Sequence, residues 1–166
     1  MRTHFCGELN KSDLDSQVKL CGWVNRRRDH GGVIFLDVRD KKGIAQIVIN
    51  PDTADTFKLA ETIRNEFVLQ ITGQVVARAS EMVNSKIPTG EIEICVEGLQ
   101  VFNKSKDLPF MIEDNIETAE ELRLSYRFLD LRRKPMFSNL KLRHEFVQQG
   151  RSFFNNNNFL EVETPF

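Results

Sequence analysis

The stretch GWVNRRRDHGGVIFLDVRD, residues 22–40, holds two strand patterns on either side of one turn. From about Val18 to Arg28, Val18, Leu20, Gly22 and Val24 share one face, and Lys19, Cys21, Trp23 and Asn25 the other. That period of two is the mark of a half-buried strand. His30, Gly31 and Gly32 supply residues that tolerate positive φ, as a tight hairpin requires. In the second strand Ile34, Leu36 and Val38 form the apolar face, which leaves Phe35 and Asp37 pointing out. Arg26, Arg27 and Arg28 carry charge that a core cannot absorb. A cationic strand end beside an outward ring suggests a surface that meets something outside the protein.

Working outward, DKKG at 40–43 reads as a second turn, with glycine where the left-handed conformation is wanted. A third strand, IAQIVIN, puts Ala45, Ile47 and Ile49 on one side and Gln46 on the other. The period then changes. PDTADTFKLAETIRN opens on Pro51 and Asp52 and carries Phe57, Leu59, Ala60 and Ile63 at helical spacing. Two further strands follow, EFVLQITGQVVAR and GEIEICVEG, joined by a loop with Pro88 and Gly90. Three strands, a helix and two strands is the order of the OB-fold, a mainly β five-stranded Greek-key barrel that often binds oligonucleotides on strands two and three. We assign the barrel to residues 1–108.

The polar segment FNKSKDLPF leads into a hinge at 109–116, and residues 117–166 read as the start of a second, α+β domain. ETAEELRLSYRFLDLRR is expected as one helix, with Leu122, Tyr126, Leu129 and Arg133 in a stripe and Pro135 ending it. A second helix runs from about Ser138 to Phe154 and stops at Asn155–Asn158, residues that tolerate the left-handed region. FLEVE then reads as a strand. A strand entering a sheet does not usually finish a protein, so we expect the chain to be cut there, with a larger domain following.

Composition bounds the function. Apolar residues make up 40% of 166, enough for a core, and the formal net charge is −1. Coating long duplex by charge alone would want a basic excess; a local site reading a few nucleotides would not. Cys6, Cys21 and Cys95 are far apart and lack metal-ligand spacing, so buried thiols in a reducing compartment are expected and zinc is not. The N-terminus has no apolar leader pattern and no run approaches a membrane span, which suggests a cytoplasmic chain.

Phe35, Gln46 and the Arg28 end of the first strand can share one surface. A ring to stack, an amide that both donates and accepts, and a guanidinium suit an unpaired base. Taken singly each has a plainer reading. An outward Phe is often covered by a loop, consecutive arginines are usually a solvated strand end, and Arg78 and Glu93 look like ordinary exposed charges. There is no Gly-rich phosphate loop and no nucleophile turn. His4 and His144 have no partner cluster, and Glu91, Glu93 and Glu97 suggest no acid–base pair. Catalysis within these residues is not expected.

GWVNRRRDHGGVIFLDVRDKKGIAQIV, RNEFVLQITG, TGEIEI and YRFLDLRR together resemble bacterial aspartyl-tRNA synthetases of class II, subclass b, over the whole chain. FLDLRR is shared with the asparagine and lysine enzymes; the RRRDHGG hairpin and its spacing to TGEIE point to the aspartate enzyme. The resemblance implies an anticodon-binding barrel, a hinge, and a catalytic domain that starts with motif 1, here about Leu140 to Pro165, which builds a homodimer interface. It implies that Phe35 stacks on the central anticodon base with Arg28 and Gln46 at its edge. Arg78 would contact the third base and Glu93 the first, where a carboxylate can accept from both N1 and N2 of guanine. His30, where many members have Leu, and Met82, where they often have Asn, resemble the non-discriminating enzymes that charge tRNA(Asn) as well as tRNA(Asp).

The same resemblance implies that ATP, magnesium and L-aspartate serve a full-length ligase whose active-site motifs lie beyond residue 166. No catalytic residue, metal or cofactor is expected within this chain, which should be inactive alone. The alternatives are a free-standing OB module for single-stranded nucleic acid, or the asparagine or lysine enzyme. The helical segment ending in YRFLDLRR counts against a module, because a barrel alone has no need of it.

Overall fold

The computed structural model describes residues 1–165. Phe166, the last position of the segment expected at 117–166, lies outside them. The chain divides into two compact units, Met1–Lys106 and a second that begins at Asp107.

The first unit is built from β1 (Gln17–His30), β2 (Val33–Arg39), β3 (Ile44–Ile49), α1 (Ala54–Thr62), β4 (Val68–Ala77) and β5 (Ile92–Asn103). The strands close into a barrel in the order β1-β2-β3-β5-β4, with β4 pairing back onto β1. All ladders are antiparallel except β3–β5, where Ile47 faces Ile94 and Val48 faces Cys95 in parallel. This is the expected OB-fold. Alternation fills it: Leu20, Val24, Ile34, Leu36, Val38, Ile47, Ile71 and Ile94 are all fully buried. On β3 the alternation misleads, because Gln46 and Val48 are buried too. The β3 strand lies between β2 and β5, so neighbouring side chains cover its outer face.

His30 and Val33 close the β1–β2 ladder, with Gly31 at φ 61° and Gly32 at φ 80° between them. Two consecutive positive φ angles are what a two-residue type I′ hairpin needs. Gly43 in the next turn has φ 153°, positive but far from the left-handed helical conformation expected there. The helix start also differs. Thr53, not Pro51 or Asp52, is the residue before α1, and its hydroxyl donates back to the Asn50 carbonyl.

One irregularity decides which way the arginines point. Val24 pairs with Val38, but the next pair is Arg26 with Asp37, so Asn25 is an extra residue in β1. A β-bulge of this kind reverses the facing of everything after it. Unbroken alternation from Val24 would send Arg26 and Arg28 inward. With the bulge, Arg28 lies opposite Phe35 on the outer face and Arg27 lies opposite the buried Leu36. The bulge is held by Arg39. Its guanidinium grips Glu66 through two bonds of 2.6 and 2.7 Å and donates to Asn25 Oδ1 at 3.1 Å.

In the second unit the single helix expected before Pro135 is two, α2 (Glu120–Ser125) and α3 (Arg127–Asp130), broken at Tyr126 with φ −115° and ψ 48°. Pro135 does not end a helix; it lies in the first turn of α4 (Lys134–Asn156). A first-turn proline gives up only an N–H that has no helical partner there. Asp130 is fully buried and accepts from Arg133 at 2.7 Å and from Arg127, with Arg123 at 3.8 Å. Those guanidinium groups outweigh the upward push of burial and hold its carboxyl below the usual range. The α4 helix ends at the asparagine run, with Asn158 at φ 64°. The strand expected over 159–163 is not formed. Extended backbone needs a ladder partner for its N–H and C=O groups, and here Phe159 N–H instead returns to the Phe154 carbonyl at 3.1 Å. Among the described residues no helix is long and apolar enough to cross a membrane.

Candidate nucleic-acid interface

Four side chains on the outer face of the first unit join into one hydrogen-bonded line, and a fifth, Arg78, stands at ion-pair distance from its end. Arg28 Nη2 donates to Asp37 Oδ1 at 2.7 Å and to Gln46 Oε1 at 3.1 Å. Gln46 Nε2 donates onward to Glu93 Oε2 at 2.8 Å, and Arg78 Nε stands 4.0 Å from that same oxygen. The line crosses β1, β2, β3 and β5 and ends on the residue that follows β4. It exists because the ladders place Asp37 opposite Gln46 and because β3 and β5 run in parallel one residue further on. Phe35, half-buried, lies at its Arg28 end, with the guanidinium carbon 5.8 Å from the ring centroid. That distance is within cation–π range.

The two ends differ in depth. The Arg28 side chain is 42% exposed, whereas that of Arg78 is 3% exposed. Arg78 is therefore not the exposed charge its position at a strand end suggests. Alternation gives a side chain's face and says nothing of depth. Its Nε donates to the Ile92 carbonyl at 2.8 Å, and its Nη2 is buried with no hydrogen-bond partner among the described residues. Burial lowers the Arg78 pKa, while Glu93 and Asp37 pull it back up. A guanidinium stays charged in proteins, so an unmatched buried N–H of this kind costs about 1–3 kcal/mol unless an acceptor arrives.

Chemically, the face offers a ring with an accessible side, one amide fixed in orientation at Gln46, and donors left over. Both protons of Arg28 Nη2 are taken by Asp37 and Gln46, which leaves Nε and Nη1 for a ligand. Glu93 Oε1 accepts no bond among the described residues. Such a set matches the polar edge of an unpaired base beside a stacking surface.

Arg28, Phe35, Gln46, Arg78 and Glu93, singled out in the sequence, come together here. His30 and Met82 do not join the hydrogen-bonded line. His30 is exposed at the hairpin end of β1, and Met82, 61% exposed, closes a short 3-10 turn at Ser80–Met82. Asp37 is the member that sequence reading placed on the outer face without giving it a part; its facing on Gln46 follows from register. Asn25, Arg39 and Glu66 were also silent, since a bulge leaves no mark in an alternating pattern.

Among the described residues no group of three or more His, Cys, Asp or Glu side chains is placed to hold a metal ion. Only Cys6 of the three cysteines is buried, and Cys21 and Cys95 are half-buried. Burial, with Asp40 nearby, pushes the Cys6 thiol far above its ordinary range, which keeps it protonated and inert.

Residues 18–102 match the family model described as OB-fold nucleic acid binding domain, and residues 119–166 match tRNA synthetases class II (D, K and N). Among curated relatives, the aspartate–tRNA(Asp/Asn) ligase of Ruthia magnifica subsp. Calyptogena magnifica is 57% identical over 100% of this chain. The ligase of the same name from Desulfatibacillum aliphaticivorans is 52% identical over 99%. The chain spans 28% of the length of each of these relatives. Among solved structures, asparaginyl-tRNA synthetase from Pyrococcus horikoshii, complexed with asparaginyl-adenylate, superposes with a TM-score of 0.80 at 28% identity. It covers 98% of this chain, which spans 36% of that one.

Proposed function

Since the chain belongs to the class II aspartyl-tRNA synthetase family and carries that family's OB-fold nucleic-acid-binding domain, we propose that its barrel face binds the anticodon loop of tRNA(Asp). Phe35 stacks under the central base, and Arg28 and Gln46 meet that base at its edge. Glu93 accepts from guanine at the first position through its unbonded Oε1. Arg78 contacts the third base. The observation that carries this reading is the line Arg28–Gln46–Glu93–Arg78 lying beside a half-exposed ring, with donors left over on Arg28 and an acceptor on Glu93.

His30 and Met82, both exposed, set the breadth of recognition: the third base is contacted loosely enough to admit tRNA(Asn). The names of the two relatives, which state both Asp and Asn, support this. We read residues 109–116 as a hinge between the barrel at 1–108 and the start of a catalytic domain at 117–166, with Leu140 to Pro165 as motif 1. The exposed apolar residues of α4, among them Leu142 and Phe146, suit the homodimer interface of that motif. The longer cytoplasmic protein ligates aspartate to tRNA with ATP and magnesium, and no described residue is assigned to either group.

The test is a titration of this chain against anticodon stem-loops carrying GUC, GUU and UUU. Tight binding of GUC with UUU rejected is expected. GUU should bind within about tenfold of GUC, roughly 1.4 kcal/mol, and His30→Leu should widen that gap. Equal weak binding of all three would replace this reading with that of a generic single-strand surface.

A further inference from the structure

Asp37 is a carboxylate on a face meant for a polyanion, which calls for a reason. Its side chain is 21% exposed, and it sits between Phe35 and Arg39 on β2, opposite Gln46 on one side and Arg26 on the other. A negative charge there repels phosphate, so by charge alone it weakens binding. What it does locally is hold Arg28. The 2.7 Å bond to Nη2 is the shortest that Arg28 makes, and it is charge-assisted, the stronger kind of hydrogen bond. The same nitrogen spends its second proton on Gln46. The guanidinium is thereby pinned at two points, close to the Phe35 ring, with Nε and Nη1 left over.

Resting on the anticodon reading, we propose that Asp37 is a positioning residue that sets specificity. It keeps the long, half-exposed Arg28 side chain at the edge of the stacked base and prevents it from swinging to whichever phosphate is nearest. Arg28 and Arg78 are balanced on this face by Asp37 and Glu93, so the surface selects by geometry more than by net charge. Gln46 extends the effect. Its amide is fixed by accepting from Arg28 and donating to Glu93, so a misplaced Arg28 also frees the amide that orients Glu93.

The experiment compares wild type, Asp37→Asn and Asp37→Glu for binding to the GUC and UUU stem-loops between 50 and 300 mM salt, roughly the range in which phosphate contacts are resolved. Circular dichroism confirms folding of each variant. In Asp37→Asn the GUC preference should fall roughly tenfold, partly because UUU binding tightens. Its log K against log salt should steepen by about 0.7, the increment for one added phosphate contact on a single strand. Asp37→Glu keeps the charge but displaces the carboxylate, so the salt slope should stay at the wild-type value while the preference falls partway. A wild-type preference and slope in Asp37→Asn would overturn the inference and leave the anticodon reading standing. Should Asp37→Asn not fold, a wild-type preference in Asp37→Glu overturns it equally. A wild type without preference for GUC removes the anticodon reading itself, and the role of Asp37 with it.

Discussion

The ring of Phe35 lies across the β1–β2 ladder from Arg28, while its neighbours Ile34 and Leu36 are fully buried on the opposite face. Removing the ring therefore deletes a stacking surface and leaves the core contacts in place. Phe35→Ala should weaken binding of the GUC stem-loop by about 1–3 kcal/mol, the range for losing one aromatic–base stack, or roughly 5- to 150-fold in Kd. Fluorescence anisotropy gives that loss. A urea midpoint close to that of the wild type would assign it to the ligand contact and not to unfolding. At this scale much of the candidate site was legible. Alternation along VIFLDVRD leaves Phe35 outward whatever the rest of the barrel does. The depth of Arg78 was not legible, because its side chain is held by the Ile92 carbonyl, fourteen positions further on. Nor was the tie between Arg28 and Asp37 visible, since they are nine positions apart and meet only through register.

The β1 strand owes its usefulness to Asn25. The bulge turns Arg28 outward, and Arg39 secures the bulge through Asn25 while neutralising Glu66. Glu66 also takes a left-handed φ of 66°, and its N–H bonds to the Val24 carbonyl at 2.7 Å, so the clasp fastens the start of β4 to the bulged part of β1. Its carboxylate side chain is 8% exposed. Arg39→Met would take both short guanidinium bonds from a largely buried carboxylate, and removing one member of a buried pair costs about 3–5 kcal/mol. Urea denaturation should show that loss, whereas Lys42→Met, in an exposed pair with Glu8, should shift stability by less than about 1 kcal/mol. Elements were legible where periodicity is strong, as in the five strands and α1. Bulges, the break at Tyr126 and the failure of a strand to form over 159–163 depend on which partners the backbone finds, and periodicity does not give those. Pro135 shows the same limit: the residue either stops a helix or starts one, and only the packed structure says which.

Over the whole chain the formal charge is −1, and within the candidate site Arg28 and Arg78 are each paired with a carboxylate. Binding that depended on collecting phosphates would require a surplus of unpaired cations, and the loss of affinity with salt would be steep. On the proposed reading the favourable terms are stacking on Phe35, contacts from Arg28 and Arg78, and an acceptor on Glu93, all drawn from the unit Met1–Lys106. The cationic surplus at the β1 end is small: Arg26 is exposed there, and Arg27 is 3.4 Å from Asp29. We therefore expect a shallow dependence of log K on log salt for the GUC stem-loop, no steeper than about −2, equivalent to roughly three phosphate contacts at 0.7 each on a single strand. Titrations at four salt concentrations measure it directly. A slope near −5 would mean that most of the binding energy comes from phosphates, and the geometric selection attributed to Arg28, Gln46 and Glu93 would then be a small correction to a surface that holds any RNA.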